Sequence, residues 1–200
     1  MRWMPGFIAS VCLFTSCVTV AIGANPVHIV IDDQAPALEK LAAQELKAMV
    51  TKLSKAEVTI SSQAPNQEQN QVILLGSPQT NRAIGQRLNG IWPKVSDQGI
   101  VIRSLEQEQA ILIGGGSPRA TLWAVYEFGY QQGIRYLLRE DIYPDPKPLK
   151  ITGLNYVNEP EFKTRSWRTI NDFAIGPESW SLAEHKQVLG QLAKQKFNQV

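Results

Sequence analysis

The sequence predicts one complete α/β domain followed by the opening strand–helix–strand of a second domain, and three observations predict it. Short β-branched apolar runs at 27–31, 58–60, 72–75, 100–102 and 110–113 read as strands. Helical stripes fall between and after them, at 36–53, behind Ser77 and at 119–132. Pro144, Pro146 and Pro148 then break regular structure as an interdomain linker does, which draws the boundary within 151–159, so that the domain covers 25–157 and the second begins at 158.

Residues 1–24 are expected to be a signal peptide. Arg2 precedes a run from 7 to 22 that holds no charged residue, marginal against the roughly 20 apolar residues of a bilayer span, and Ala21, Gly23 and Ala24 are small where a peptidase cuts. No basic stop-transfer flank follows Gly23, which argues against a retained anchor. The expectation is a secreted or periplasmic protein starting near Ala24 or Asn25. Lipidation at Cys17 after Phe14, Thr15 and Ser16 is the open alternative, and the only route by which this chain is expected to meet a membrane. Cys12 and Cys17 are the only cysteines, so from Asn25 on no thiol is available to pair, bind metal or act as nucleophile.

The first strand, VHIVI at 27–31, leads through Asp32 and Asp33 to Pro36 and a helix ending near Leu53. Leu38, Ala42, Leu46, Met49, Val50 and Leu53 fall on one stripe, with Glu39, Lys40, Gln44, Lys47 and Lys52 on the other faces. The strand at 72–75 runs into Gly76-Ser77-Pro78, where Ser77 is expected to cap a helix that has Pro78 in its first turn. The same device recurs at Gly114-Gly115-Gly116-Ser117-Pro118, before a helix from Arg119 to about Gln132 that is apolar nearly all round and stops at Gly133. A strand is expected at 134–138. Past the prolines, FKTRSWRTI at 162–170 alternates in strand fashion. Ser181 and Glu184 form a capping box for a helix whose stripe is Leu182, Leu189, Leu192 and Ala193, and 197–200 reads as a second strand.

Composition excludes several functions. Twenty Lys and Arg stand against 18 Asp and Glu with no block of like charge, so nucleic acid is not an expected partner. The glycines at 114–116 lack both a following Lys-Ser/Thr and G-x-G-x-x-G spacing, so they predict a tight strand-to-helix turn and not a nucleotide cradle. His28 and His185 have no second ligand at metal-binding spacing, and neither a metal nor a cofactor is expected. Asp32 and Asp33 precede a helix and suit its dipole. Ser77, Ser117 and Ser181 have capping work and none sits in a G-x-S-x-G elbow.

One cluster fits carbohydrate. Arg165, Trp167, Arg168, Asn171, Asp172 and Trp180 gather guanidinium, amide, carboxylate and indole groups around the end of the 162–170 segment. Indole faces pack on the apolar face of a pyranose while the polar groups hydrogen-bond its hydroxyls. The same residues equally compose a polar loop with two tryptophans packed on the first domain.

Residues 25–157 resemble the N-terminal accessory domain that precedes the catalytic barrel in α-glucuronidases and β-N-acetylhexosaminidases. The resemblance is carried by GGSPRATLWAVYEF at 115–128, continuing through GIRYL at 133–137, with AQEL at 43–46, ILLG at 73–76 and GIVI at 99–102 in the family's order. It implies a mixed β-sheet covered by helices that carries no catalytic residue, and Glu159, Pro160, Glu161, Phe162 and Arg165 resemble the start of a (β/α)₈ barrel. Such a barrel takes about 250 residues and draws its active site from several strand ends. The implied function is an exported glycoside hydrolase acting on an oligo- or polysaccharide, with this chain as its N-terminal part. Its acid and base would come from later strands, and Glu184 is already explained by its cap. Arg168, Asn171 and Asp172 are then expected substrate contacts, Trp180 a stacking platform, and Glu178 lies on the same face. A non-enzymatic envelope module that binds glycan or protein is the alternative.

Overall fold

The computed structural model describes residues 25–64, 71–88, 90–105, 109–168 and 176–200. Its central strands, at 71–75 and 110–115, are buried on both faces, which is the pattern of a sheet covered on both sides. In chain order the elements are β1 (Val27–Val30), α1 (Ala37–Ser54), β2 (Val58–Ser61), β3 (Gln71–Leu75), α2 (Arg82–Leu88), β4 (Ile100–Leu105), β5 (Ala110–Gly115), α3 (Pro118–Gln131), β6 (Arg135–Tyr136), β7 (Asp141–Ile142), β8 (Asn155–Asn158) and α4 (Leu182–Lys194).

Six strands form one mixed sheet in the order β2-β1-β3-β5-β4-β8. The pairs among β2, β1, β3 and β5 are parallel, while β4 runs antiparallel to both β5 and β8. One face carries Ile29, Ile73, Ile102, Ile111 and Ile113 against α1 and α3. The other carries Val30, Leu74, Val101 and Leu112 against Ile84 and Leu88 of α2, with Trp92 packed beside them. The expected mixed sheet covered by helices is the observed fold.

α3 is the central helix. Every residue from Ala120 to Gly129 is buried, its N-cap Ser117 accepts the Ala120 N–H, and it ends before Gly133 at φ +106°. The glycine turn before it exists because backbone approaches backbone: a Cβ on Gly114 would overlap the Gly76 carbonyl, and one on Gly116 the Ser96 carbonyl.

Several expectations need correction. Ser77 caps no helix: its carbonyl accepts the N–H groups of Thr80 and Asn81 in a turn, and α2 starts only at Arg82, after Asn81 Oδ1 has accepted the Ala83 N–H. Glu39 is not on a solvent face but 1% exposed, because the first turn of α1 lies against the turn after β3 and the start of α3. The strand expected at 134–138 shrinks to β6, paired with β7. The proline-rich segment is no free tether, since Leu149 and Ile151 enter the core and β8 closes one sheet edge. Within the described part of 162–170 only Ser166 makes a strand contact, a parallel bridge to Gln199. On α4, Leu182 and Leu189 are 70% and 47% exposed, and Val188, Gln191 and Leu192 are the buried positions.

Candidate functional site

The segment before Arg168 takes its direction from its neighbours. Its backbone is tied to the chain after α4, with Trp167 N donating to Gln199 O and Asn198 N donating to Arg165 O, both at 3.0 Å. Trp167 meets the Phe197 ring edge-on at 6.0 Å and, with Val188 and Leu192 of α4, lines a cavity of about 130 Å³. Its indole Nε1 is buried without a partner among the described residues. Side chains alternate along extended backbone, so Ser166 falls on the side opposite Trp167. There Ser166 Oγ donates to Gln199 Oε1 at 3.2 Å. Arg168 is exposed and makes no ion pair among the described residues.

Trp180 sits at the start of α4, half-buried. Its ring stacks obliquely on His185 at 5.6 Å and lies under the Arg139 guanidinium at 5.8 Å. It lines the same cavity as Trp167, and so stands on the α4 side and not beside Arg168. Asn171 and Asp172 lie outside the described residues. Ser181 and Glu184 form the capping box: Glu184 accepts from both the N–H and the hydroxyl of Ser181, which holds its carboxyl below the usual range.

Arg165, on the same side of the segment as Trp167, turns onto the α/β domain. Its guanidinium lies over Trp123 of α3 at 4.8 Å and donates to Gln98 Oε1 at 2.9 Å, Phe162 O at 2.8 Å and Lys196 O at 2.8 Å. Burial, and after it the charge of Arg119, draws its pKa below the ordinary arginine value. A guanidinium stays charged in proteins all the same. Two ion pairs flank this contact, Lys196 with Glu127 at 2.7 Å and Lys194 with Asp141 at 2.6 Å. A cleft of about 420 Å³ opens here between Trp123, Asn158, Glu161, Phe162, Arg165 and Lys196.

The remaining motifs are spent on structure. The Gly116 N–H goes to Gly99 O, and Gly76, which faces the glycine turn, donates its N–H to Ile113 O, so neither is presented to an anion. His28 Nδ1 is 2.6 Å from Thr59 Oγ1. Asp32 accepts the Gln34 N–H and pairs with Arg82 at 2.8 Å, the first being the larger cause of its lowered pKa. Among the described residues no group of three or more His, Cys, Asp and Glu is placed to hold a metal ion.

Sequence reasoning missed Glu39. Its Oε1 accepts from Thr80 and Thr121 hydroxyls, each at 3.0 Å, while Oε2 is buried with no partner among the described residues. Burial pushes its pKa up, and the two hydroxyls pull it back in part. The available signal was spacing, since Glu39 is three residues from Ala42 and seven from Leu46, on the buried stripe.

The sequence pattern of the glycosyl hydrolase family 67 N-terminus matches residues 18–128, over half of the chain. No curated protein matches it. Among solved structures, a family 115 4-O-methyl-α-glucuronidase described as specific for decorated arabinogalactans aligns with a TM-score of 0.60 and 14% identity. The alignment covers 88% of this chain and 24% of that one. The family 20 β-N-acetylhexosaminidase of Streptomyces coelicolor A3(2) aligns over 72% of this chain and 25% of its own, with a TM-score of 0.45 and 16% identity. The N-acetyl-β-hexosaminidase of Streptomyces plicatus covers the same shares with a TM-score of 0.43 and 14% identity. The chain therefore spans about a quarter of the length of these solved structures. With the expected fold observed and the family pattern running from before β1 into α3, the chain belongs to the glycosyl hydrolase family 67 N-terminal domain family.

Proposed function

We propose that this chain is the non-catalytic N-terminal part of an exported glycoside hydrolase, of α-glucuronidase or β-N-acetylhexosaminidase type, that breaks down polysaccharide. The observation that carries the reading is the family 67 N-terminal match, with a single parallel bridge between the segments that flank α4, Ser166 to Gln199, following on the α/β domain. A (β/α)₈ barrel builds parallel strands around such helices, and the exposed Leu182 and Leu189 supply apolar surface for further units.

In such a barrel the side away from the helix is the interior, and substrate lies at the C-terminal strand ends. Arg168, exposed and two residues on from Ser166, is assigned to that side and that end. Its planar fork of donors suits a sugar carboxylate, which it binds by two parallel hydrogen bonds. Asn171 and Asp172 follow as contacts to sugar hydroxyls, and Trp180 offers what His185 and Arg139 leave of its ring. Hydrolysis itself needs two carboxylates about 5–10 Å apart, or one and a substrate amide. Glu184 is committed to its capping box, and the family resemblance assigns the acid and base to later strands of the barrel. The charge-free run at 7–22 supports export, with a Cys17 lipoprotein as the alternative form.

The test is product release. The full-length protein is incubated with arabinogalactan decorated with 4-O-methylglucuronate and, separately, with a chromogenic N-acetyl-β-glucosaminide. Release of the uronic acid or of the amino sugar supports the proposal and says which type it is. Inertness toward both, with binding to insoluble glycan retained, would turn the reading to a glycan-binding module.

A further inference from the structure

We infer that Arg165 is a positioning residue through which the α/β domain holds the strand that presents Arg168. The inference rests on the proposed role of Arg168 at the sugar, and it gives the α/β domain a part in substrate binding without any contact to substrate.

Arg165 is tied at both its backbone and its side chain. Its N–H donates to Asn198 Oδ1 at 2.8 Å and its carbonyl accepts the Asn198 N–H, which fixes it opposite the chain leaving α4. Its guanidinium spends three hydrogen bonds on one amide oxygen and two backbone carbonyls, and has Trp123 as its aromatic floor. Among the described residues it forms no ion pair. A half-buried cation held by carbonyls and an indole is an inefficient way to gain stability. Polar networks of this kind are best attested as devices that fix register.

Gln98 is the counterpart on the α/β domain. It is 7% exposed, and its side chain contacts both segments: Nε2 donates to Lys163 O at 3.0 Å, while Oε1 accepts from Arg165 and from Asn198 Nδ2 at 3.2 Å. Lys196 links the same contact to α3. It is the left-handed residue, φ +65°, of the Schellman turn that ends α4, with its own N–H on Ala193 O and the Phe197 N–H on Leu192 O. Its carbonyl meets Arg165 Nε while its ammonium pairs with Glu127 of α3.

Register matters because of parity. Arg165 and Arg168 are three residues apart, about 10 Å along extended backbone and on opposite faces. A one-residue slip would turn Arg168 toward α4 and place Trp167 on the sugar side. The α/β domain, holding Arg165, decides which of them faces substrate.

The test uses Gln98→Ala, Arg165→Gln and Arg165→Lys in the 200-residue chain, read by amide hydrogen exchange. The expected result is at least tenfold faster exchange at the Trp167 and Asn198 amides in all three, with β3 and β5 unchanged and the Gln98→Ala/Arg165→Gln double variant no worse than Arg165→Gln. Unchanged protection at Trp167 and Asn198, full rescue by lysine, or loss of protection spreading into β3 and β5 would each overturn the inference. In the full-length protein Gln98→Ala is expected to raise KM for the decorated arabinogalactan about tenfold with kcat within about twofold, the mark of lost ground-state binding. Accelerated exchange with an unchanged KM would sever Arg165 from Arg168 and overturn it as well. A wild-type protein without hydrolase activity would remove the glycosidase reading alone, and the exchange data would still decide whether Arg165 sets register.

Discussion

Replacing Glu39 by glutamine tests the packing of α1, α3 and the turn after β3 at one point. The wild-type carboxyl is 1% exposed, takes two hydroxyl hydrogen bonds on Oε1 and has an unpartnered Oε2. Glutamine keeps the acceptor and places an amide NH₂ where Oε2 was, so it buries unsatisfied donors at a cost of about 1–3 kcal/mol. That cost does not depend on pH, whereas the wild-type term does. Burial raises the folded pKa above the unfolded value, so Glu39 is fully accommodated below about pH 4.3, where it is protonated in both states. Its contribution is lost as pH rises through the raised folded value, because the fold must then bury a charge or hold a proton against solvent. The variant is therefore expected to be less stable than wild type near pH 4, and the gap is expected to narrow or reverse near pH 7.5. Urea unfolding of residues 25–200 at both pH values reads this directly. A gap that stays constant to within about 0.3 kcal/mol, or widens with pH, would refute the buried, uncompensated carboxyl.

Other substitutions probe the remaining joints. Gly114→Ala forces a Cβ into the Gly76 carbonyl and should lower stability by about 1–3 kcal/mol in urea unfolding, whereas a loose glycine loop would tolerate it. Ser117→Ala removes the N-cap of α3 and the hydrogen bond from its hydroxyl to Asp97 O. The expected loss is about 1 kcal/mol, and an unchanged unfolding midpoint would contradict the cap. Asp141→Asn strips the charge that holds Lys194 at 2.6 Å, in a pair whose side chains are 18% and 17% exposed. A double-mutant cycle with Lys194→Met should return a coupling of about 1–3 kcal/mol, and a value near zero would mean that α4 does not rest on this contact.

The α/β domain was legible where local chemistry and tertiary packing agree. Ser117-Pro118 and Gly133 bracket α3 in the sequence as they do in the fold, and Ser181 with Glu184 announces α4. It was illegible where two local signals compete. Ser77 and Asn81 are both good caps, and the turn following β3 uses the first, leaving the helix to the second. Glu39 was misplaced because its charge outweighed its spacing, yet two distant threonines make burial tolerable. β8 was not read as a strand because an edge strand has little apolar content: Asn155 and Asn158 are exposed. Of the candidate site, the polar character and the exposure of Arg168 could be read from alternation. The position of Trp180 on the α4 side, and the tie from Arg165 to Gln98 and Trp123, depend on residues far apart in the chain, which no local pattern encodes.

The most direct test of the central claim compares the 200-residue chain with the full-length protein, at equal concentration, for release of 4-O-methylglucuronate from decorated arabinogalactan and of amino sugar from a chromogenic N-acetyl-β-glucosaminide. The account predicts that the full-length protein liberates one of these sugars and that the 200-residue chain liberates neither. Hydrolysis by the 200-residue chain, or by neither protein, would contradict it.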